Sequence, residues 1–234
     1  MISKGKTGKT IAIKEGDSGV YVDSSVKKIK KQAERLFEDA RGSHDWEHTL
    51  RVCRLCEKIG PIEGADMVVL MAAAYLHDIG RRFQDGSEGE ICHAAKGAEL
   101  TRAIIELLDL SESQKENIVH CVRAHLFSES LTPQTIEAKV LFDADKIDAI
   151  GAVGVARAYL FAGEIGARLH NIGNNIEGTK PYSVDDTGYR EYKIKLSKIK
   201  DRILTTEGRR IAEARHDFME SFFKRFIEEY EGEK

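Results

Sequence analysis

Met67-Val-Val-Leu-Met-Ala-Ala-Ala-Tyr-Leu76-His77-Asp78-Ile79-Gly80 is the stretch on which the fold turns. An unbroken apolar run leads straight into an imidazole and a carboxylate. At helical spacing His77 continues the row of Val69 and Ala73, while Asp78 continues that of Leu70 and Ala74. Both polar side chains therefore point inward at the end of a helix. The run is too short for the roughly 20 residues that cross a bilayer, so it reads as a buried helix. Neither a membrane anchor nor a secretion signal is expected.

The same oddity recurs outward from this helix. His48 opens a row with Val52, Leu55 and Ile59; His93 heads Gly97, Leu100, Ile104 and Leu108. His125 ends a face made by Ile118, Cys121 and Val122, and Asp145 follows Leu141 and precedes Ala149 and Ala152. One such group is ordinarily a hydrogen-bonded core residue. Several buried together without partners would each be costly, and a shared counter-charge is the economical solution. A divalent cation supplies it, and a His and Asp donor set without Cys suits an open, water-retaining octahedral site better than a closed structural zinc site.

Helical periodicity begins at Asp23 or Ser24, with Val26, Ile29, Ala33 and Phe37 on one face. Ser43 is read as the cap of a second helix ending near Ile59. Further helices are expected at about 65–79, 91–109, 112–126, 134–162, 191–205 and 207–231. The fold class is therefore all-α, a helical bundle over 23–234. The Gly-rich stretch 163–190 reads as a long loop or flap, with a plain spacer as the alternative. Residues 1–22 are expected to form a small β-hairpin extension around Glu15-Gly-Asp-Ser-Gly19. Gly5-Lys-Thr-Gly-Lys-Thr10 imitates a phosphate-binding loop, but Ser3 stands where the pattern requires a glycine.

Composition narrows the function further. With 36 Lys and Arg against 39 Asp and Glu, the net charge of −3 gives no basic field, so no nucleic-acid polymer is expected as a partner. Four Cys on apolar helical positions read as reduced thiols of a cytoplasmic protein rather than a disulfide framework. Cys53-x-x-Cys56 has no second pair to complete a zinc site.

The segments His44-Asp-Trp-Glu-His-Thr-Leu-Arg-Val52, Leu76-His-Asp-Ile-Gly80 and Asp143-Ala-Asp-Lys-Ile-Asp-Ala-Ile-Gly151 resemble the ordered H…HD…D signature of HD-domain metal-dependent phosphohydrolases. The likeness extends over about 24–232, through Ile150-Gly-Ala-Val-Gly-Val-Ala-Arg157 and Thr205-Thr-Glu-Gly-Arg-Arg-Ile-Ala-Glu-Ala-Arg215, and is to the bacterial and archaeal hydrolases that include nucleotide pyrophosphohydrolases. The resemblance implies metal ligands at His48, His77, Asp78 and Asp145, with Asp143 as the competing choice for the last. His44 falls one turn before His48 and is read as ordering the helix start. His93 and His125 correspond to the additional histidines with which some HD proteins hold a second metal. The reading taken here is hydrogen bonding behind the ligands or contact with substrate phosphate.

Phosphoryl chemistry also needs cationic clamps. Arg51, Arg81, Lys146 and Arg157 are the candidates, with Arg82 beside them. The expected activity is metal-assisted hydrolysis of a phosphoester or phosphoanhydride in a small nucleotide, with Mn²⁺ as the first choice of ion and Co²⁺, Ni²⁺, Fe²⁺, Zn²⁺ or Mg²⁺ as others. Asp78 or Asp148 would orient the attacking water. The nucleotide itself rests on the resemblance alone. Two rivals stay open: a non-hydrolytic nucleotide-binding or signalling module using the same pocket, and a helical scaffold whose inward polar groups merely hydrogen-bond.

Overall fold

A computed structural model describes residues 23–37, 45–87, 90–126, 131–171 and 176–234. Ten α-helices occur among them. They are α1 (Ser24–Leu36), α2 (Trp46–Glu63), α3 (Met67–Leu76), α4 (Arg81–Gly86), α5 (His93–Ile105), α6 (Glu112–Ala124), α7 (Ile136–Asp148), α8 (Gly151–Glu164), α9 (Gly188–Ile194) and α10 (Thr206–Tyr230). No strand is found among the described residues. The expected hairpin and the imitation phosphate loop at 1–22, together with Ser43 and His44, lie outside those residues. None of the helices is long and apolar enough to cross a membrane.

The centre of the bundle is α3. Every residue from Val69 to Leu76 is buried, as expected of a helix that is apolar all round. Helices α1, α2, α6 and α7 pack around it, and Ile59, Leu70, Leu76, Ile118 and Leu141 are fully excluded from water. Because α3 lies in the interior along its length, the His77 and Asp78 that follow it are delivered to the interior as well. Gly80 then allows the chain to turn against α5: a Cβ there would meet the His93 carbonyl oxygen at 2.2 Å.

Several boundaries differ from the sequence expectation. Helix α2 is capped by Asp45, whose carboxylate accepts from the His48 N–H at 2.9 Å, and it continues through Pro61 to a left-handed Gly64. The expected helix at 134–162 is two helices, broken where Gly151 adopts φ 79°. The Arg215 side chain packs 3.0–3.1 Å from where a Gly151 Cβ would stand. Instead of one helix over 191–205, α9 is followed by two short 3₁₀ turns, Leu196–Lys198 and Lys200–Arg202. Within the expected flap, Arg190 is buried and donates to Asp186 at 2.6 Å and to the Thr179 carbonyl at 2.9 Å, while Asn171 holds the Asp185 carbonyl at 2.7 Å. This polar network pins its second half.

Candidate metal centre

Four helices and one turn converge on the polar interior. His48 comes from the first turn of α2, His77 and Asp78 from the turn after α3, His93 from the start of α5, His125 from the end of α6, and Asp145 from α7. His48, His77 and Asp145 form one group of possible metal ligands, and Asp78, His93 and His125 form another; within each, the donor atoms lie inside 4.8 Å of one another.

Asp78 joins the two groups. Its Oδ2 is 3.8 Å from His48 Nε2 and 3.7 Å from His77 Nε2, while its Oδ1 is 3.2 Å from His93 Nε2 and 3.5 Å from His125 Nε2. Asp145 Oδ1 completes the first group, 3.3 Å from His48 Nε2. The structure thus brings together all four residues that the sequence resemblance singled out, and adds His93 and His125 on the second oxygen of Asp78.

The outward nitrogen of each imidazole is occupied. His77 Nδ1 meets the Ala74 carbonyl at 2.8 Å and His125 Nδ1 the Val122 carbonyl at 2.7 Å. His93 Nδ1 is hydrogen-bonded to Gln84 Oε1, and His48 Nδ1 to Asp148 Oδ2 at 2.8 Å. These acceptors place a ring proton on each Nδ1 and turn each Nε2 inward. His93 Nε2 and His125 Nε2 then stand 3.3 Å apart beside Asp78 Oδ1. Three acceptor atoms this close repel one another unless a positive charge sits between them, so the donor set fits a cation.

The ionisation of the metal-free cluster follows the same logic. Burial lowers the pKa of His48, but hydrogen bonds to Asp145 and Asp148 and the charges of Asp145 and Asp78 outweigh it and raise the value to about 9. At His77 burial outweighs the nearby charge of Asp78 and pushes the pKa down to about 4. Burial opposes ionisation of Asp145, yet Lys146 and His48 hold its carboxyl well below the usual range. Asp148 is likewise held at about 2, burial being overcome by His48 and Arg51.

The candidate clamps sit at the rim, with side chains between 15% and 26% exposed. Asp145, 14% exposed, is the only one of the six possible ligands that is not nearly sealed, and it marks the open side. Arg51 donates to Asp148 through Nε at 2.8 Å and Nη2 at 3.1 Å, and Arg157 through Nη1 at 2.8 Å. Lys146 donates to Asp145 Oδ2 at 2.6 Å and to the His125 carbonyl at 3.1 Å. Arg81 Nη2 lies 3.8 Å from Asp78 Oδ1. Asp148 therefore stands behind His48 with both oxygens engaged, away from the inward Nε2 atoms. This geometry disagrees with the expectation that it orients the water.

The competing aspartate has a different task. Asp143 is buried and accepts from the backbone N–H of Leu204 at 2.9 Å and of Thr205 at 2.7 Å, and from Thr205 Oγ at 2.6 Å. It ties α7 to the start of α10. Gln84 is the residue that sequence reasoning missed: a half-buried amide on a short helix carries no periodic signal.

The all-helical fold carries a His and Asp cluster that could hold a metal ion, and residues 45–150 match the HD domain family. Residues 45–150 therefore form an HD domain. The chain is similar to protein YpgQ of Bacillus subtilis (strain 168), 29% identical over 209 residues that cover 87% of this chain and 93% of YpgQ. The crystal structure of YpgQ in complex with ADP superposes with a TM-score of 0.65 at 27% identity, covering 88% of this chain and 94% of that one. An HD-superfamily hydrolase from Bacillus thuringiensis gives a TM-score of 0.69 at 26% identity, over 88% and 97% of the two chains. Ribonuclease Y of Thermoanaerobacter pseudethanolicus is 30% identical over 183 residues, 76% of this chain. The chain spans 32% of that enzyme's length.

Proposed function

We propose that this chain is a divalent-cation-dependent phosphohydrolase that acts on a small nucleotide. The observation that carries the reading is the placement of Asp78, whose two oxygens face two separate histidine groups. His48, His77, Asp145 and Asp78 Oδ2 would hold one cation. Asp78 Oδ1, His93 and His125 would hold a neighbouring one. The chemistry a cation would supply there is polarisation of a phosphoryl oxygen and acidification of a water.

The remaining residues position and neutralise. Asp148 fixes the His48 ring and keeps Arg51 and Arg157 side by side. Lys146 holds Asp145 so that Oδ1 faces inward. Arg81, at the rim and next to Asp78, is the guanidinium best placed to meet phosphoryl oxygens as charge builds on them. The complex of YpgQ with ADP supports a nucleoside polyphosphate as the ligand class, and Mn²⁺ is the ion we would load first.

The test is phosphate and pyrophosphate release from nucleoside mono-, di- and triphosphates by protein stripped of metal and reloaded with Mn²⁺, with a short oligoribonucleotide alongside. Release that requires the cation and is lost in His77→Ala supports the reading. Tight ADP binding with no hydrolysis of any nucleotide would select the non-hydrolytic module instead. Cleavage confined to the oligoribonucleotide would replace the nucleotide by RNA.

A further inference from the structure

We infer that Gln84 is a positioning residue for the second cation group, acting through the tautomer of His93; this rests on the two-position reading above. Helix α5 begins at His93, and Cys92, which precedes it, makes no side-chain capping hydrogen bond. The missing acceptor comes from Gln84. Its Oε1 accepts from the His93 ring Nδ1 and also faces the His93 backbone N–H at 3.4 Å. Gln84 is itself held by its turn, since Ser87 donates through Oγ to the Gln84 carbonyl at 3.1 Å and accepts from the Ile91 N–H at 2.9 Å.

The backing of the four imidazoles is unequal. His48 is backed by a carboxylate that two arginines share. His77 and His125 are backed by helix carbonyls that cannot change orientation without unwinding a turn. His93 alone depends on a side-chain amide, which has a donor end as well as an acceptor end. With Oε1 toward Nδ1, the His93 ring keeps its proton there and presents a lone pair to Asp78 Oδ1, 3.2 Å away. With no acceptor at that place, the proton can move to Nε2, where it satisfies Asp78 and closes the position to a cation. Gln84 thus decides whether Asp78 Oδ1 is answered by a proton or by a metal ion.

The experiment compares wild type, Gln84→Leu and Gln84→Glu. Three readouts are taken: Zn²⁺ uptake by competition with a chelator, the ¹⁵N tautomer signature of His93 with and without Zn²⁺, and the Tm of metal-free protein. The expected result is that Gln84→Leu weakens the weaker uptake step by roughly 10–100-fold, the usual effect of losing a partner behind a ligand. The tighter step stays as in wild type, and the His93 proton redistributes toward Nε2. Gln84→Glu keeps the acceptor and should restore both. A lower Tm in Gln84→Leu with an unchanged tautomer and unchanged uptake would reduce Gln84 to a helix cap and overturn the proposal, as would failure of Gln84→Glu to restore the weaker step. One uptake step in wild type would instead refute the two-position reading, and the proposal with it.

Discussion

Asp148→Asn separates a carboxylate that positions His48 from one that acts on water. The substitution preserves shape but places an NH₂ group among donors that now converge on oxygen. Asp148 is 2% exposed and meets four N–H groups at 2.8–3.1 Å, from His48, Arg51 and Arg157. Removing one member of a buried charge pair costs about 3–5 kcal/mol. Here Arg51 and Arg157 keep 26% and 18% of their side-chain surface in water, which lowers the expected loss in metal-free protein to about 2–3 kcal/mol. For a chain of this size that corresponds to a Tm drop of roughly 4–12 °C. The loss of the partner behind His48 should also weaken the tighter cation by about 10–100-fold. Thermal denaturation of stripped protein and chelator competition measure the two effects. Parent-like stability and cation affinity together with abolished turnover would refute the positioning role and return Asp148 to the attacking water.

The raised pKa of His48 makes metal-free stability depend on pH. Its folded value of about 9 lies above the ordinary 6.5, so the contribution is complete below about pH 6.5 and disappears as pH rises through about 9. It is on the order of 3 kcal/mol, measurable as urea midpoints from pH 6 to 9.5, and His48→Gln should flatten the profile. Asp143→Ala should lower Tm by loosening the start of α10 while leaving cation uptake intact, whereas Asp145→Ala should lose uptake; the opposite assignment would mean that Asp143 is the ligand. In a thiol titration of native protein, Cys92 alone should react quickly because it is exposed. Cys53, Cys56 and Cys121 are buried, and burial pushes their thiols up, to about 12 for Cys121, so fast reaction of two or more thiols would contradict this packing.

The helical fold and most of the cluster were legible for one reason: a polar residue at a core-facing position is conspicuous against an apolar row. That signal found His48, His77, Asp78, His93, His125 and Asp145. It cannot resolve direction within the core. Asp145 and Asp148 lie three residues apart on the same helix and both face inward, yet one reaches the Nε2 side of His48 and the other the Nδ1 side. The break at Gly151 was invisible because the apolar pattern runs across it. What stops the helix is a positive φ with the Arg215 side chain packed over it, a contact across more than sixty residues of sequence. Asp143 competed with Asp145 for the ligand role because it lies two residues away on the same helix, and only the return of Thr205 shows that its oxygens are already engaged.

Position and charge together would couple a bound cation to the fold. The interior that α3 builds admits Asp78 and Asp145 only with compensation, and in metal-free protein an ionised His48 between Asp145 and Asp148 supplies it. A cation in the first position needs the same Nε2 lone pair, so it must displace that proton. Uptake near neutral pH should therefore release a proton, and affinity should rise with pH until His48 is neutral in the free protein. His77, already pushed down to about 4, contributes nothing to that release. Calorimetric uptake measured in buffers of different ionisation enthalpy would give the number directly: close to one proton per first cation at pH 7 follows from the geometry, and none would mean that the carboxylates are compensated elsewhere.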